Sequence, residues 1–388
     1  FTCLLALEAQ AAEWRIDPSI RLRTGYNDNI TLTSGDNEAA SSEITLKPSV
    51  KFSRNTANSS LSGTVGLNLR RFPDESGLDD DNANLRLSAT KSLEHHDFGL
   101  DVDFIKDTTL DTELDETGLV FGRTDRTRQS LRPNWSWRFS ERTNASLSYT
   151  YNDVDYDDNN NGYVDYLSHS GQLSLNRSLN ERAIGSLIVS QTLTDSDNDV
   201  LSRVTNLQAG VRYQFSESVS GTLFAGARRT TTKFSRVFFV SNTIPIPVTT
   251  KVDDDGTVFS GSLTKKTERG SHGITLSRDV SSSVSGRLIE VTRAGLSNDY
   301  RFSERLRGTL GVNFYNSKST SDASTINNLD REYYTISPGL HWKLSQFWAA
   351  SVDYRYKKQI NEGNSNDAVQ NAFYLNLTYN WPRFAWSR

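Results

Sequence analysis

The chain has 388 residues, of which 35% are hydrophobic, with a mean hydropathy of -0.57 and a formal net charge of -4. This charge argues against nucleic acid as a partner, and the single Cys3 excludes an intrachain disulfide framework and a cysteine metal site. Length alone would allow two or three domains, yet no linker or break in composition divides the chain.

The first residues, FTCLLALEAQAA, have the pattern of the tail of a secretory signal peptide. An apolar run is followed by small residues, and Ala9-Gln10-Ala11 fits the A-x-A cleavage pattern. We therefore predict that residues 1–12 are a signal-peptide remnant and that residues 13–388 form one domain, with an N-terminal plug helix as the alternative. Beyond residue 12 no apolar run approaches the roughly 20 residues of a membrane helix. We expect an exported chain without a helical anchor.

Period-two strand patterns begin directly after this segment. In RIDPSIRLRTGY, apolar Ile16, Ile20 and Leu22 alternate with polar residues. A polar loop follows near Ser34–Ser42, and alternation then returns through Leu46 to Phe52 before a tight turn. The next strand leads to the acidic loop PDESGLDDD. The order is strand, long polar loop, strand, tight turn.

A hairpin with a tight polar turn recurs along the chain. The clearest copy is DYRFSERLRGTLGVNFY, Asp299–Tyr315, in which two alternating limbs flank Ser303–Arg305. Similar hairpins start at Trp137 with WRFSER, at Tyr213 with YQFSES and at Trp342 with WKLSQF. Because these hairpins recur at intervals of roughly forty residues or multiples of it, the chain reads as one repeating β architecture.

Tight turns at one end and longer polar loops at the other are typical of outer-membrane barrels. Only a closed barrel pairs every backbone group of its strands inside lipid. We predict an all-β transmembrane antiparallel barrel of about 18 strands, with 16 as the alternative, located in the outer membrane of a Gram-negative bacterium. Long loops are expected near Thr108–Asp125, Asp153–Asp165, Asp195–Ser202, Ser235–Asp255, Ser281–Gly286, Lys318–Asp330 and Ile360–Asn371.

The last regular strand alternates from Phe373 to Trp381 and ends on an aromatic residue. It resembles the strand by which the barrel assembly machinery recognises outer-membrane proteins, although PRFAWSR trails beyond it. We expect this strand to close the barrel by pairing with the first one. The expected partners are this machinery, outer-membrane lipid and lipopolysaccharide.

The motif YNDNITLT after the first strand, the FSER-type turns and the length together resemble a known family. It comprises the porin-like outer-membrane β-barrel proteins associated with exopolysaccharide and PEP-CTERM/exosortase gene clusters. The resemblance covers nearly the whole chain. It implies an outer-membrane location and a polysaccharide context, with polysaccharide-export components as partners.

The face opposite the apolar one should line the lumen, and it is rich in arginine. The few acidic residues on that face are Asp17, Asp101, Asp103 and Asp353, whereas the long loops are acidic. Arginines around a polar pore concentrate anions, so we predict a lumen that binds anionic solutes, with bracing by ion pairs as the alternative. The predicted residues are Arg21, Arg23, Arg70, Arg86, Arg132, Arg212, Arg228, Arg307 and Arg355.

One loop has the spacing of a calcium site. Asp157, Asn159, Asn161 and Asp165 stand at positions one, three, five and nine of DDNNNGYVDYLS, the alternating oxygen ligands of a calcium loop. Position twelve is Ser168 rather than a bidentate Glu, which favours a polar hairpin tip over calcium. No other cofactor is expected.

These features favour a porin-like outer-membrane channel, a conduit associated with exopolysaccharide export whose basic lumen prefers anionic solutes. One alternative is a non-conducting structural or docking barrel of an envelope machine. The weakest alternative is an outer-membrane hydrolase, for which His169 beside Ser168 and Ser170 is the candidate pair. Neighbouring residues on a strand point to opposite faces, so we predict that the protein is not an enzyme.

Overall fold

The structure, a computed structural model, consists almost wholly of β-strands. It describes residues 13–35, 38–110, 123–157, 162–240, 244–283, 287–319, 330–361 and 367–387. The predicted signal-peptide remnant, residues 1–12, lies outside this part of the chain. Among the described residues, no helix is long and apolar enough to cross a membrane.

The strands follow one another along the chain, and a 3-10 helix, Ser76–Leu78, lies between the third and the fourth. In the first half they are β1 Glu13–Asn27, β2 Ser41–Asn55, β3 Ser59–Arg71, β4 Asp80–Ser92, β5 His96–Thr108, β6 Asp125–Ser140, β7 Thr143–Tyr156, β8 Tyr166–Ser178 and β9 Ala183–Ser196. In the second half they are β10 Val200–Gln214, β11 Val219–Val240, β12 Ile244–Thr267, β13 Gly270–Ser282, β14 Leu288–Arg301, β15 Leu306–Ser319, β16 Arg331–Lys343, β17 Trp348–Asn361, β18 Ala368–Asn380 and β19 Phe384–Ser387.

From β1 to β18, each strand pairs antiparallel with the next, and β18 pairs with β1 from Ser19–Asn380 to Asn27–Ala372, which closes the barrel. The short β19 pairs with the start of β1, so it continues the position of β18 after a break at residues 381–383. The barrel therefore has 18 strand positions, as predicted, and the alternative of 16 is wrong. Within the PRFAWSR segment that follows Trp381, Phe384–Ser387 pairs with residues of β1 that β18 does not reach.

Alternation places apolar side chains on the outside of the barrel. Leu22, Leu207, Leu223 and Leu375 have exposed fractions of 48%, 53%, 60% and 47%, whereas their strand neighbours Arg21, Gln208, Thr222 and Asn376 have the opposite parity and face the lumen. An exposed apolar belt around a polar interior is the reverse of a water-soluble protein.

The two ends of the barrel differ in their connections. The short-turn end carries the tight turns 56–58, 93–95, 141–142, 179–182, 215–218, 268–269, 302–305 and 344–347. The long-loop end carries the remaining connections.

At the long-loop end two predicted loops are wrong. Residues 235–255 mostly continue β11 and β12 as a paired hairpin, which projects beyond Phe259, where the pairing of β12 with β13 stops. Asp195–Ser202 is a turn of residues 197–199, in which Asp199 has φ +60°. An aspartate tolerates this left-handed conformation better than most residues.

Candidate functional site

An apolar core lies inside the lumen at the long-loop end. Val154 and Tyr156 of β7 pack against Ile289 and Val291 of β14, together with Tyr163 of the β7–β8 connection, and all five are buried. These strands are not neighbours in the sheet, and both pairs have the inward parity. Side chains from two separate walls therefore meet and fill the space between them.

The loop after β1 contributes a second core. Leu32 packs with Tyr333 of β16 and Ala368 of β18. The buried Asn29 fixes this loop, because its side-chain amide donates to the carbonyl of Thr33 at 2.6 Å and to that of Val369 at 2.9 Å. The YNDNITLT segment therefore folds into the lumen, a role that its polar composition did not indicate.

Polar contacts also join walls at this level. The Ser282 hydroxyl at the end of β13 donates to the Thr194 hydroxyl of β9 at 3.3 Å. Arg228 of β11 donates to Asp254 of β12 at 2.7 Å and to Glu290 of β14 at 3.1 Å. Buried inward-facing residues lie around the ring, including Thr45 on β2, Asp80 on β4, Arg126 on β6 and Gln359 on β17.

Below this packed region the lumen opens into a cavity of about 880 Å³, here called the vestibule, which extends to the short-turn end. It is formed mainly by β1, β2 and β14–β18. Eight basic and two acidic residues line it. The basic residues are Arg21, Arg23, Lys47, Arg301, Arg305, Arg307, Lys343 and Arg355, and the acidic ones are Glu304 and Asp353.

The inner end of the vestibule is a stack of two arginines on a tyrosine. The guanidinium carbon of Arg23 lies 3.4 Å from the centre of the Tyr374 ring, and that of Arg355 lies 5.8 Å from it. The ring occupies the space beside Gly25 that a Cβ atom at this position would need. Glu43 lies 3.8 Å from Arg23 on the side of the packed region. Cation–π contact holds the guanidinium groups in place.

The other vestibule arginines differ in their partners. Arg307 forms an ion pair with Asp299. Arg21 donates only to the hydroxyl of Thr378, at 3.3 Å, and neither Arg21 nor Arg355 forms an ion pair with a carboxylate of the described residues. No carboxylate of the described residues therefore neutralises these two charges.

A second recess, of about 410 Å³, lies on the wall formed by β1–β6. Its lining is almost balanced, with four basic and three acidic residues. Asp103 accepts a hydrogen bond from Arg132 and lies 3.5 Å from Arg86. On this wall Arg86 and Arg132 therefore pair with a carboxylate of the strand that lies between their own strands.

The nine predicted lumen arginines therefore do not line one ring. Arg21, Arg23, Arg307 and Arg355 meet in the vestibule, whereas Arg86 and Arg132 lie in the second recess. Arg212 faces the lumen from β10 and is exposed. Two others lie at the long-loop end, Arg70 at 3.7 Å from Asp80 and Arg228 buried against Asp254.

Sequence reasoning missed inward-facing residues of both signs. Lys47 and Arg301 line the vestibule, and Glu43 and Asp299 face arginines across the lumen wall. Asp299 shares the parity of Arg301 and Arg307 within DYRFSER, so a stricter use of alternation would have found it.

Two of the predicted calcium ligands, Asn159 and Asn161, lie outside the described residues. The carboxylate of Asp165 accepts a hydrogen bond from the backbone N–H of Tyr156 at 2.7 Å, and Gly162 has φ +87°. Among the residues that the structure describes, no group of three or more His, Cys, Asp and Glu is placed to hold a metal ion. Calcium binding by Asp157–Asp165 stays a prediction.

The candidate hydrolytic pair is divided between two faces. His169 lies on the outer face, where its Nδ1 is 2.6 Å from the hydroxyl of Tyr149. Ser168 is buried on the lumen side. This arrangement offers no nucleophile and base within reach of each other.

A closed barrel with an exposed apolar belt and a polar lumen defines the class of outer-membrane β-barrels. No family model matches the chain, and no curated protein matches its sequence. The crystal structure of OpdO from Pseudomonas aeruginosa is similar at 11% identity, covering 95% of this chain and 97% of that one, with a TM-score of 0.50.

Two further crystal structures show the same likeness. OccK9 (OpdG) of Pseudomonas aeruginosa has 11% identity, coverage of 95% and 98%, and a TM-score of 0.49. OccAB2 of Acinetobacter baumannii has 9% identity, coverage of 96% and 98%, and a TM-score of 0.49. At such identities similarity establishes fold and not function. The chain has the closed 18-strand antiparallel barrel fold of these outer-membrane porins.

Proposed function

We propose that this protein is a gated outer-membrane channel with a preference for anions, a conduit for an anionic glycan associated with exopolysaccharide export. The observation that carries the proposal is the vestibule, in which eight basic residues face two acidic ones. A wall of positive potential enriches anions and excludes cations from a narrow aqueous space.

The exposed apolar belt supports the location. At the short-turn end it is bordered by outward-facing aromatic rows such as Trp135, Trp137 and Phe139, whose rings contact one another in sequence. Aromatic girdles of this kind lie at the membrane interface. In outer-membrane barrels the short turns face the periplasm, so the vestibule opens there. Lipopolysaccharide, the barrel assembly machinery and polysaccharide-export components are the partners of this proposal.

The packed long-loop end supports gating. Val154, Tyr156, Ile289 and Val291 fill the lumen between β7 and β14, and Asn29 anchors the YNDNITLT segment above the vestibule. Passage of a glycan therefore requires this end to rearrange. Rearrangement is the step at which an export partner would act.

Ion selectivity in planar bilayers tests the proposal. Changing Arg21, Arg307 and Arg355 to Glu should reverse the anion preference, because three positive charges of the vestibule become negative. Changing Arg86 and Arg132 to Glu serves as the control, since these residues lie in the second recess. Channels whose reversal potential under a salt gradient is the same before and after the vestibule changes contradict the proposal.

The second candidate is a non-conducting structural or docking barrel, and the packed long-loop end favours it. It predicts no channel events from the wild-type protein, and none after the core at β7 and β14 has been opened by substitution. A gated channel is expected to conduct once the core at β7 and β14 has been opened by substitution. Conductance of both forms under the same voltage separates the candidates.

A further inference from the structure

We propose that the vestibule is a binding site for an oligosaccharide that carries several carboxylates and enters from the short-turn end. The inference rests on the proposed function for its orientation in the membrane, and it adds a ligand class and a binding step to it. The observation that carries the inference is that one cavity combines guanidinium groups without a carboxylate partner among the described residues, a fixed aromatic contact and space for a sugar.

The size and polar lining fit a sugar chain. A volume of about 880 Å³ lies within the range of about 300–1,000 Å³ of small-molecule sites. Between the arginines lie the hydroxyl and amide groups of Ser351 and Asn376, which are joined to Asp353 by hydrogen bonds of 2.9 Å and 2.7 Å. Hydroxyl and amide groups both donate and accept hydrogen bonds, and the recognition of sugar hydroxyls requires both.

The distribution of charge fits a ligand with several anionic groups. Arg305 and Lys343 lie near the short-turn rim, Arg21 lies deeper, and Arg23 and Arg355 lie at the inner end. A single small anion could contact only two or three of these cations. A chain with a carboxylate on each sugar contacts them in succession, because their spacing extends along the cavity.

The inner end is preorganised for a carboxylate. The ring of Tyr374 contacts the guanidinium groups of both Arg23 and Arg355, and Glu43 forms an ion pair with Arg23 at 3.8 Å. The planar guanidinium of Arg355 is then able to donate two parallel hydrogen bonds to one carboxylate. Fixing a side chain before binding reduces the entropy lost when the complex forms.

Buried residues lie beyond the inner end of the cavity, which favours entry from the short-turn end. The buried Asn29 and Tyr333 belong to the packed region beyond Tyr374. A ligand therefore reaches Arg355 through the rim, past Gln346 and Arg305.

Isothermal titration of the refolded barrel in detergent with trigalacturonate, at 0.15 M salt, tests the site. We expect saturable binding of one trisaccharide, no binding of the neutral maltotriose, and weaker binding of inorganic phosphate. Replacing both Arg21 and Arg355 by Gln should weaken trigalacturonate binding at least about tenfold, since two charge-assisted contacts are lost. The matched double variant of Arg86 and Arg132 to Gln should change it less than about twofold. Heat-dependent gel mobility and circular dichroism verify that each variant is folded.

Equal weakening by both double variants would overturn the inference, because it would show a diffuse effect of net charge. Binding of maltotriose as tight as that of trigalacturonate, or no binding of trigalacturonate, would also overturn it.

The direction of entry is tested with a bulky maleimide adduct in a Cys3→Ser background. An adduct on Gln346→Cys at the rim should block binding, and one on Glu75→Cys at the long-loop end should not. The opposite pattern contradicts entry from the short-turn side.

The titration needs no conductance, so its failure is distinct from failure of the proposed function. Binding of trigalacturonate without channel activity in any variant would support the binding site and contradict the proposed channel. Anion-selective conductance without such binding would support the channel and contradict the binding site.

Discussion

The two ends of this barrel are made from the same strands, yet one is packed and the other is open. At the long-loop end the inward-facing Val154, Ile289 and Val291 are almost completely buried. At the short-turn end β14, together with β1, β2 and β15–β18, surrounds a vestibule of about 880 Å³. The difference shows that the lumen of a barrel is not one environment. The lumen is packed where apolar side chains of non-neighbouring walls meet, and open where arginines and lysines line it.

The arginines of the two ends show the same contrast. Arg126 at the long-loop end is 1% exposed, and its guanidinium donates two bonds of 3.0 Å to the carboxylate of Asp107. Arg86, in the second recess, has a side chain that is 64% exposed and lies 3.5 Å from Asp103. A buried pair that loses one partner leaves an uncompensated charge, whereas an exposed one is solvated by water.

The largest effect is therefore expected for Arg126→Ala. It should lower the free energy of unfolding by about 3–5 kcal/mol, because the buried Asp107 would lose the guanidinium group that pairs with its carboxylate. The control Arg86→Ala should cost no more than about 1 kcal/mol. Urea titrations of the lipid-reconstituted barrel measure both. Equal losses for the two variants would show that the long-loop end is as solvated as the recess.

A second expectation concerns the core between β7 and β14. Ile289→Ala should cost about 2–5 kcal/mol, as expected for a cavity in a packed core. It should also raise the conductance, because one side chain that fills the lumen is removed. Ile274→Ala is the matched control, since this residue is 54% exposed on the outer face and should leave conductance unchanged. Conductance that is unaffected by Ile289→Ala contradicts a gate at this core.

The smallest effect concerns the hairpin that projects from the long-loop end. Hydrogen bonds from Lys251, at 2.8 Å, and then from Thr231 lower the pKa of Asp253. Because the folded pKa is the lower one, the stabilisation is complete above the unfolded value of about 3.9 and is lost as pH falls through the folded pKa. The carboxyl chemical shift of Asp253 should titrate below that value, and Lys251→Gln should move the midpoint upward. A midpoint that Lys251→Gln leaves in place contradicts the assignment.

Alternation and turn chemistry were sufficient to predict most of the fold. Because side chains of a strand alternate between two faces, Leu22 and Arg21 could be assigned to opposite sides without a structure. Polar turns such as Ser303–Arg305 marked where strands reverse, which led to the strand number and to closure by β1 and β18. Alternation does not identify the hairpin of residues 235–255, because VFFV and IPIPV are continuous apolar runs without the period-two pattern of the other strands.

The candidate site was only partly predictable. The pairing of Arg86 and Arg132 with Asp103 depends on the register between neighbouring strands, which alternation does not give. The meeting of Val154 with Ile289 depends on contact between β7 and β14, which are distant in both sequence and sheet order. A sequence pattern contains neither kind of information. The arginines were therefore found, but the division between vestibule, recess and buried pairs was not.

The most direct test of the contrast between the two ends is the reaction of single cysteines with a charged, membrane-impermeant thiol reagent. Asn376→Cys lies in the vestibule and Thr194→Cys in the packed end, each in a Cys3→Ser background in cells without general porins. We predict that Asn376→Cys reacts only when the periplasm is opened to the reagent, and that Thr194→Cys reacts in neither condition until the protein is unfolded. Rapid reaction of Asn376→Cys in intact cells would show a lumen open from the outside and would contradict the account.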